Sequence, residues 1–184
     1  RYDFVTGASD RHGGPELLLR PGHALVLEGL HGLNPRLLAG VVPEGSTFRV
    51  LAYPATALPF DPLSHVSLSD VRLLRRIVRD RRLRAISPAE NIARWPSVRR
   101  GERANIFPFL GLADAVFDTS LVYEPAVIKV FAERYLLEVP ASHPSYVTAH
   151  RLRQLLDNFV AVYPEHVPPT SLLREFIGGS SFDR

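Results

Sequence analysis

Three short apolar runs constrain the fold of this chain more than any other feature of its sequence. They are residues 23–27, 48–53 and 113–117. The first run is almost continuously apolar, which is typical of a strand buried on both faces of a parallel sheet, and the other two are also strand candidates. Helical patterns separate and follow these runs, so the sequence predicts an alternating α/β fold.

Two of the predicted helices begin at clear sequence signals. Ser67–Asp70 fits a capping box, in which the serine and the acid satisfy each other's free backbone donors, and predicts a helix that ends near Arg84. Ser87–Pro88 places proline at the favoured first position of a second helix. We expect Pro96 to kink or end that second helix, because proline removes a backbone donor.

The last third of the chain is predicted to be entirely helical. Apolar residues recur at helical spacing over 124–137 and 146–162. A shorter helix is predicted over 171–177, where Gly178 and Gly179 stop it.

The first predicted helix carries an unusual concentration of arginine. Of the 22 basic residues in the chain, which has 184 residues and a net charge of +3, all but Lys129 are arginine. Four guanidinium groups lie at helical positions i, i+3, i+4 and i+7, namely those of Arg72, Arg75, Arg76 and Arg79. Such a face is usually solvated, but like charges at this spacing repel. We therefore expect an anion beside them, either a structural acid such as Asp70 or Asp80 or a ligand such as a polyphosphate.

Glu28 is the second candidate for chemistry. It follows the first apolar run directly, and doubly wound sheets place their ligand crevice at that end of the strand. A carboxylate there can hold Mg²⁺ beside a nucleotide. The alternative is an acid paired with an arginine.

Several residue types and segments are missing from the sequence. The chain has no cysteine, which excludes disulfides, thiolate metal sites and a cysteine nucleophile. No apolar run approaches the roughly 20 residues that span a bilayer. Methionine is also missing, even at position 1, so we expect the chain to be a piece of a longer protein.

Six segments, in order along the chain, resemble the uridine kinase and phosphoribulokinase family, especially its bacterial uridine-kinase-like branch. They are residues 2–7, 26–35, 70–80, 95–102, 106–109 and 172–179. The resemblance implies a three-layer P-loop kinase fold with a parallel sheet. The core would occupy residues 1–122, with an arginine-rich lid at 67–104, and residues 123–184 would form a helical extension packed on it.

The same resemblance assigns roles to individual residues. Arg75, Arg76 and Arg79 match catalytic arginines of the lid, while Arg72 and Arg84 match residues that approach the nucleotide phosphates. Glu28 matches the acid that helps to hold Mg²⁺ with ATP or GTP. Tyr2, Phe4 and His31 fall in segments that match the nucleoside pocket.

The implied activity is transfer of the γ-phosphoryl group to a hydroxyl, such as the 5′-hydroxyl of uridine or cytidine. The phosphate loop Gly-x-x-x-x-Gly-Lys-[Ser/Thr] does not occur in the chain, so we expect it upstream, together with the first strand and the catalytic aspartate. The segment alone would then be inactive.

The partners implied are a nucleoside and a nucleoside triphosphate in the cytoplasm, and a homo-oligomer is compatible. Neither a membrane nor a nucleic acid is expected as a partner of such a kinase. Two alternatives stay open. One is a non-catalytic module that binds RNA or another polyanion, and the other is a kinase of the same fold that acts on another small alcohol.

Overall fold

The computed structural model describes residues 8, 10, 17–43, 45–59 and 65–182. Within these residues the chain is a mixed α/β protein with five α-helices and one two-stranded parallel sheet, which confirms the predicted class. The strands and α-helices are β1 (Val50–Tyr53), α1 (Leu68–Leu83), α2 (Pro88–Asn105), β2 (Ala115–Asp118), α3 (Glu124–Leu137), α4 (Tyr146–Asp157) and α5 (Arg174–Ile177). Short 3₁₀ helices cover Pro35–Leu37, Phe107–Leu112 and Pro164–His166.

The sheet confirms two of the three predicted strands. β1 and β2 run parallel, with Val50 opposite Ala115 and Tyr53 opposite Asp118. At the start of β2 the backbone N–H of Arg49 donates to Asp114 Oδ2 at 2.6 Å, which fixes the two strands in register.

The predicted strand over residues 23–27 is wrong. These residues have no regular secondary structure, and Val26 is 89% exposed. A strand needs a neighbour for its backbone donors and acceptors, and in the described part of the chain β1 and β2 pair only with each other. Apolar composition gave a strand pattern here but could not indicate whether a pairing partner exists.

Helices α1 and α2 begin where the sequence predicts, but only α2 forms its capping box. Ser87 and Glu90 exchange the two reciprocal hydrogen bonds, and α2 continues through Pro96 instead of ending there. Ser67 makes no side-chain cap hydrogen bond on α1. The carboxylate of Asp70, which was expected to complete this capping box, instead accepts hydrogen bonds from both terminal nitrogens of Arg151, at 2.7 and 2.8 Å.

The three later helices were predicted with different success. Helix α3 has the predicted bounds. Helix α4 stops at Asp157 instead of continuing to Val162, because the amide of Asn158 donates to the carbonyl oxygens of Gln154 and Leu155 and caps the helix end. Helix α5 begins only at Arg174 and ends at Ile177, and the next residue, Gly178, has a φ of 89°, which suits glycine.

One cluster of buried apolar residues joins all five helices. Helix α1 packs against α2, α3 and α5, while α4 packs on α3 and α2. The fully buried members of this apolar cluster include Leu73, Ile77, Ile128, Leu136, Leu152, Leu156 and Leu173. The predicted extension therefore shares its core with the two helices of the predicted lid. None of the helices in the described ranges is long and apolar enough to cross a membrane.

Two adjacent leucines on α3 test this core. Leu136 is 1% exposed, whereas Leu137 is 58% exposed. We expect Leu136→Ala to lower the free energy of unfolding by about 2–5 kcal/mol, because it leaves a cavity among α1, α3 and α4. Leu137→Ala, the matched control, is expected to change it by less than about 1 kcal/mol. Urea denaturation followed by circular dichroism measures both, and equal effects would contradict the packing described.

Candidate functional site

Arg72, the first arginine of α1, is held between two aromatic rings and an acid of α2. Its guanidinium carbon lies 5.2 Å from the ring centroid of Tyr53 and 5.7 Å from that of Trp95. Both terminal nitrogens donate to the carboxylate of Glu102, one of them at 2.9 Å. Burial alone would lower the pKa of Arg72, but the hydrogen bonds and charge of Glu102 outweigh it, with a contribution from Tyr53, and raise that pKa.

Arg75 is buried and joins three elements. Its guanidinium donates twice to the carboxylate of Glu124 at the start of α3, through Nη2 at 2.6 Å and through Nε. It also donates to the carbonyl oxygen of Thr119 at 2.7 Å, just beyond β2. Burial raises the pKa of Glu124, and the hydrogen bonds and charge of Arg75 offset part of that rise. Arg75 therefore links α1 to α3 and to the carboxyl end of the sheet.

A carboxylate network closes the same end of the sheet. Asp118 Oδ1 accepts the backbone N–H groups of Ala55 and Ser120, both at 2.9 Å, and Oδ2 accepts the hydroxyl of Thr56. These hydrogen bonds hold the pKa of Asp118 well below its usual range. The hydroxyl of Thr56 lowers that pKa most, followed by the two backbone N–H groups. The loops that follow β1 and β2 are thereby joined beside Thr119, the residue that Arg75 contacts.

Three further arginines converge on one carboxylate, two from α1 and one, Arg84, from the position directly after it. We call Asp80 with Arg76, Arg79 and Arg84 the Asp80 cluster. Asp80 is completely buried, and its Oδ1 accepts Arg79 Nε at 3.0 Å and Arg84 Nη1 at 3.2 Å. Arg76 Nε lies 3.4 Å from Asp80 Oδ2 but donates instead to Asn91 Oδ1 at 2.8 Å. Asp80 Oδ2 consequently accepts no hydrogen bond from the described residues.

The Asp80 cluster has more positive than negative charge. Three guanidinium groups face one carboxylate at its centre, and the exposed Arg94 of α2 adds its charge. Burial chiefly lowers the pKa of Arg76, and the positive charges of Arg79, Arg84 and Arg94 lower it further, although Asp80 opposes them. Sequence analysis did not identify Arg94, because the helical spacing of α1 says nothing about which residue of α2 lies opposite.

Glu28 lies in an open depression of about 390 Å³ next to this cluster. The depression is lined by Glu28, Ser171, Leu172, Glu175, Ser180 and Phe182. Glu175 connects it to the arginines, since its Oε1 lies 4.0 Å from Arg79 Nη1. Glu175, to which sequence analysis assigned no role, thus lines the same depression as the predicted metal ligand and lies near one predicted catalytic arginine.

The depression has the type of donor that suits a hard cation. Two carboxylates and two hydroxyls line it, and Mg²⁺ takes oxygen ligands, often from one or two carboxylates plus waters and phosphate oxygens. No group of three or more acid or histidine side chains that could hold a metal occurs within the described ranges. The residues therefore fit Mg²⁺ that arrives with a phosphate, and Glu28 and Glu175 are the ones that could hold it.

The segment around α5 holds Glu175 in place. The Phe176 ring centroid lies 5.3 Å from the guanidinium carbon of Arg75, and Arg82 Nη1 donates to the carbonyl oxygen of Phe176 at 2.8 Å. At Gly178 a Cβ atom would collide with the guanidinium of Arg82. Gly178 and Gly179 both have a positive φ, 89° and 71°, which favours glycine at these two positions after the helix.

Of the predicted nucleoside-binding residues, His31 is the one that the described ranges include, and it does not line the depression. His31 is exposed in a turn, where its carbonyl oxygen accepts the N–H of Asn34. Tyr2 and Phe4 lie outside the described residues.

No family model matches the chain, and neither a curated protein nor a solved structure matches it. Inferences about its function consequently depend on the residues themselves.

The Asp118 network predicts a specific pH dependence. A carboxylate whose pKa is depressed on folding stabilises the protein above its unfolded pKa, about 3.9, and that stabilisation is lost as the pH falls toward the folded pKa. We expect Asp118→Asn to lower the free energy of unfolding at neutral pH, with a difference from wild type that shrinks below about pH 4. Urea denaturation of both proteins at several pH values measures this difference in the free energy of unfolding.

The matched control is Asp157→Asn, which removes the same charge from an exposed residue whose carboxylate makes no hydrogen bond with the described part of the chain. We expect no comparable loss for that variant. If Asp118→Asn were as stable as wild type at neutral pH, the network would contribute nothing to folding.

Proposed function

We propose that this chain is part of an ATP- or GTP-dependent kinase of the uridine kinase type, with the three-layer P-loop kinase fold. In this proposal α1 is the arginine lid that approaches the nucleotide phosphates. The observation that carries the proposal is the Asp80 cluster, in which Arg76, Arg79 and Arg84 share one buried carboxylate. The excess of positive charge there suits a ligand with several negative charges.

Phosphoryl transfer makes a demand that this arrangement meets. The protein mainly positions the reactants and neutralises charge on the transferred group, and one arginine at that group can accelerate transfer by about 10³-fold or more. Arg79 is the best candidate, because it lies between Asp80 and Glu175 and is a quarter exposed. The carboxylate of Glu175 marks a direction from which an anionic oxygen can approach its guanidinium.

Arg72 and Arg75 receive a different role in this proposal. Their donors are directed to Glu102, Glu124 and Thr119, and only 9% of the Arg75 side chain is exposed. A phosphate would have to displace a buried carboxylate to reach Arg75. We therefore treat both as residues that position α1, while Arg76, Arg79 and Arg84 face the phosphates.

The remaining parts of the proposal concern the metal and the acceptor. Glu28, together with Glu175, would hold Mg²⁺, which when bound neutralises the β- and γ-phosphate oxygens. The acceptor would be a nucleoside hydroxyl of the uridine or cytidine type, with Tyr2, Phe4 and His31 at the nucleoside. A different small alcohol would leave the role of α1 unchanged.

One observation favours the rival function, a module that binds RNA or another polyanion. Arg100 and Arg103 are exposed on α2, and within the described ranges neither forms an ion pair with a carboxylate. A basic helix of this kind binds phosphates without regard to the nucleoside, and such binding weakens steeply with salt.

Substitutions in the full-length protein separate the two functions. We expect Arg79→Gln and Glu28→Gln to lower kcat/KM for ATP-dependent phosphorylation of a nucleoside by about 10²-fold or more, because each removes charge neutralisation in the transition state. Turnover on a panel of nucleosides and small alcohols measures this. Arg100→Gln is the matched control, since it removes a guanidinium from α2 outside the Asp80 cluster and should leave turnover unchanged.

Opposite results would support the rival. If wild type phosphorylates no small molecule but binds RNA in a salt-sensitive way that Arg100→Gln weakens, the polyanion-binding function replaces the kinase. If the enzyme is active and neither Arg79→Gln nor Glu28→Gln slows it, the kinase proposal survives but its site assignment does not.

A further inference from the structure

Asp80 occupies an unusual position for a charged residue. Its side chain is completely buried near the carboxyl end of α1, yet the three guanidinium groups around it are 25% to 55% exposed. Burying a carboxylate is costly unless charged partners compensate. Here the partners are arginines that extend outward from it, so the acid lies beneath an array of cations.

The backbone fixes Asp80 as firmly as its side chain does. Its carbonyl oxygen accepts the N–H groups of Arg84 at 3.0 Å and of Ile86 at 3.2 Å, which closes the last turn of α1. Arg84 is thus attached to Asp80 through both its main chain and its side chain. Asn91 of α2 holds Arg76 from the opposite side. The directions of these arginines are set before any ligand arrives.

We propose that Asp80 is a positioning residue, which holds Arg76, Arg79 and Arg84 as one preorganised array for the phosphates of a di- or triphosphate. The inference rests on the phosphate-facing role proposed above for α1. It explains why an acid stands at the centre of a site for anions, where charge alone would disfavour it. Holding long side chains in place in advance reduces the entropy lost on binding.

The direction in which Asp80→Asn changes the affinity for polyphosphate distinguishes a positioning role of Asp80 from a purely electrostatic one. Asp80→Asn removes a negative charge while keeping the size of the side chain. If Asp80 only reduced the positive charge of the cluster, this variant would bind polyphosphate more tightly. If Asp80 positions the arginines, the variant binds more weakly, because Arg79 and Arg84 lose a charge-assisted hydrogen bond and with it their fixed direction.

The experiment is calorimetric titration of the full-length protein with ATP and with inorganic tripolyphosphate, at one fixed salt concentration. We expect Asp80→Asn to weaken binding of both by about tenfold. The matched control is Glu138→Gln, which makes the same charge change at an exposed acid after α3. Glu138 pairs with Arg81, which like Asp80 belongs to α1. We expect its affinity to stay within about twofold of wild type.

A second measurement needs no variant and covers the case in which Asp80→Asn does not fold. The proposal predicts that the Nε–H of Arg79 in ligand-free wild type gives a resolved NMR signal in slow exchange with water, because it donates to buried Oδ1. Fast exchange of that proton would overturn the inference.

The possible failures are distinguishable. If wild type binds ATP and Asp80→Asn binds it equally or more tightly, the positioning role is overturned while the proposed function stands. If wild type binds neither ATP nor tripolyphosphate, the proposed function itself is overturned, and the role of Asp80 toward phosphates falls with it.

Discussion

The buried ion pair between Arg75 and Glu124 is the interaction on which the rest of this structure depends. It joins the middle of α1 to the first residue of α3, and through Thr119 it joins both helices to the end of β2. Removing one partner of such a pair costs about 3–5 kcal/mol, against a total stability of about 5–15 kcal/mol for a typical domain. The exposed pair between Arg81 and Glu138, worth at most about 1 kcal/mol, has no comparable importance.

Repulsion among the arginines of α1 is small beside the interactions that they make. A pair of like charges one helical turn apart costs a few tenths of a kcal/mol, whereas a hydrogen bond to a charged group contributes about 1.5–3 kcal/mol. Glu102, Asp80 and Glu124 provide these bonds from α2, α1 and α3. Arg72 and Arg75 therefore act as bonds from α1 to α2 and α3, in addition to the apolar core, while Asp80 pairs with arginines at its own end of α1.

Local rules predicted where the helices lie, but they could not predict the long-range partners of the charged side chains. Helix α3 was predicted with its observed bounds, because helical spacing and the flanking residues are local information. The serine and acid at Ser67–Asp70 correctly marked the start of α1, but Asp70 is bound by Arg151, 81 residues later. Glu102 and Glu124, the partners of Arg72 and Arg75, lie 30 and 49 residues away from them. No periodicity within α1 could identify those acids.

The periodicity of α1 also explains how one helix can serve both the fold and a site. Arg72 and Arg76 are one turn apart, and so are Arg75 and Arg79. In each pair the first arginine is bonded to an acid of another helix, and the second lies in the Asp80 cluster. Within one turn the exposed fraction of the side chain rises from 9% at Arg75 to 25% at Arg79, whereas Arg72 and Arg76 are similar, at 22% and 25%. Any ligand of the Asp80 cluster is bound by side chains whose helix is already fixed, so binding need not reorganise the core.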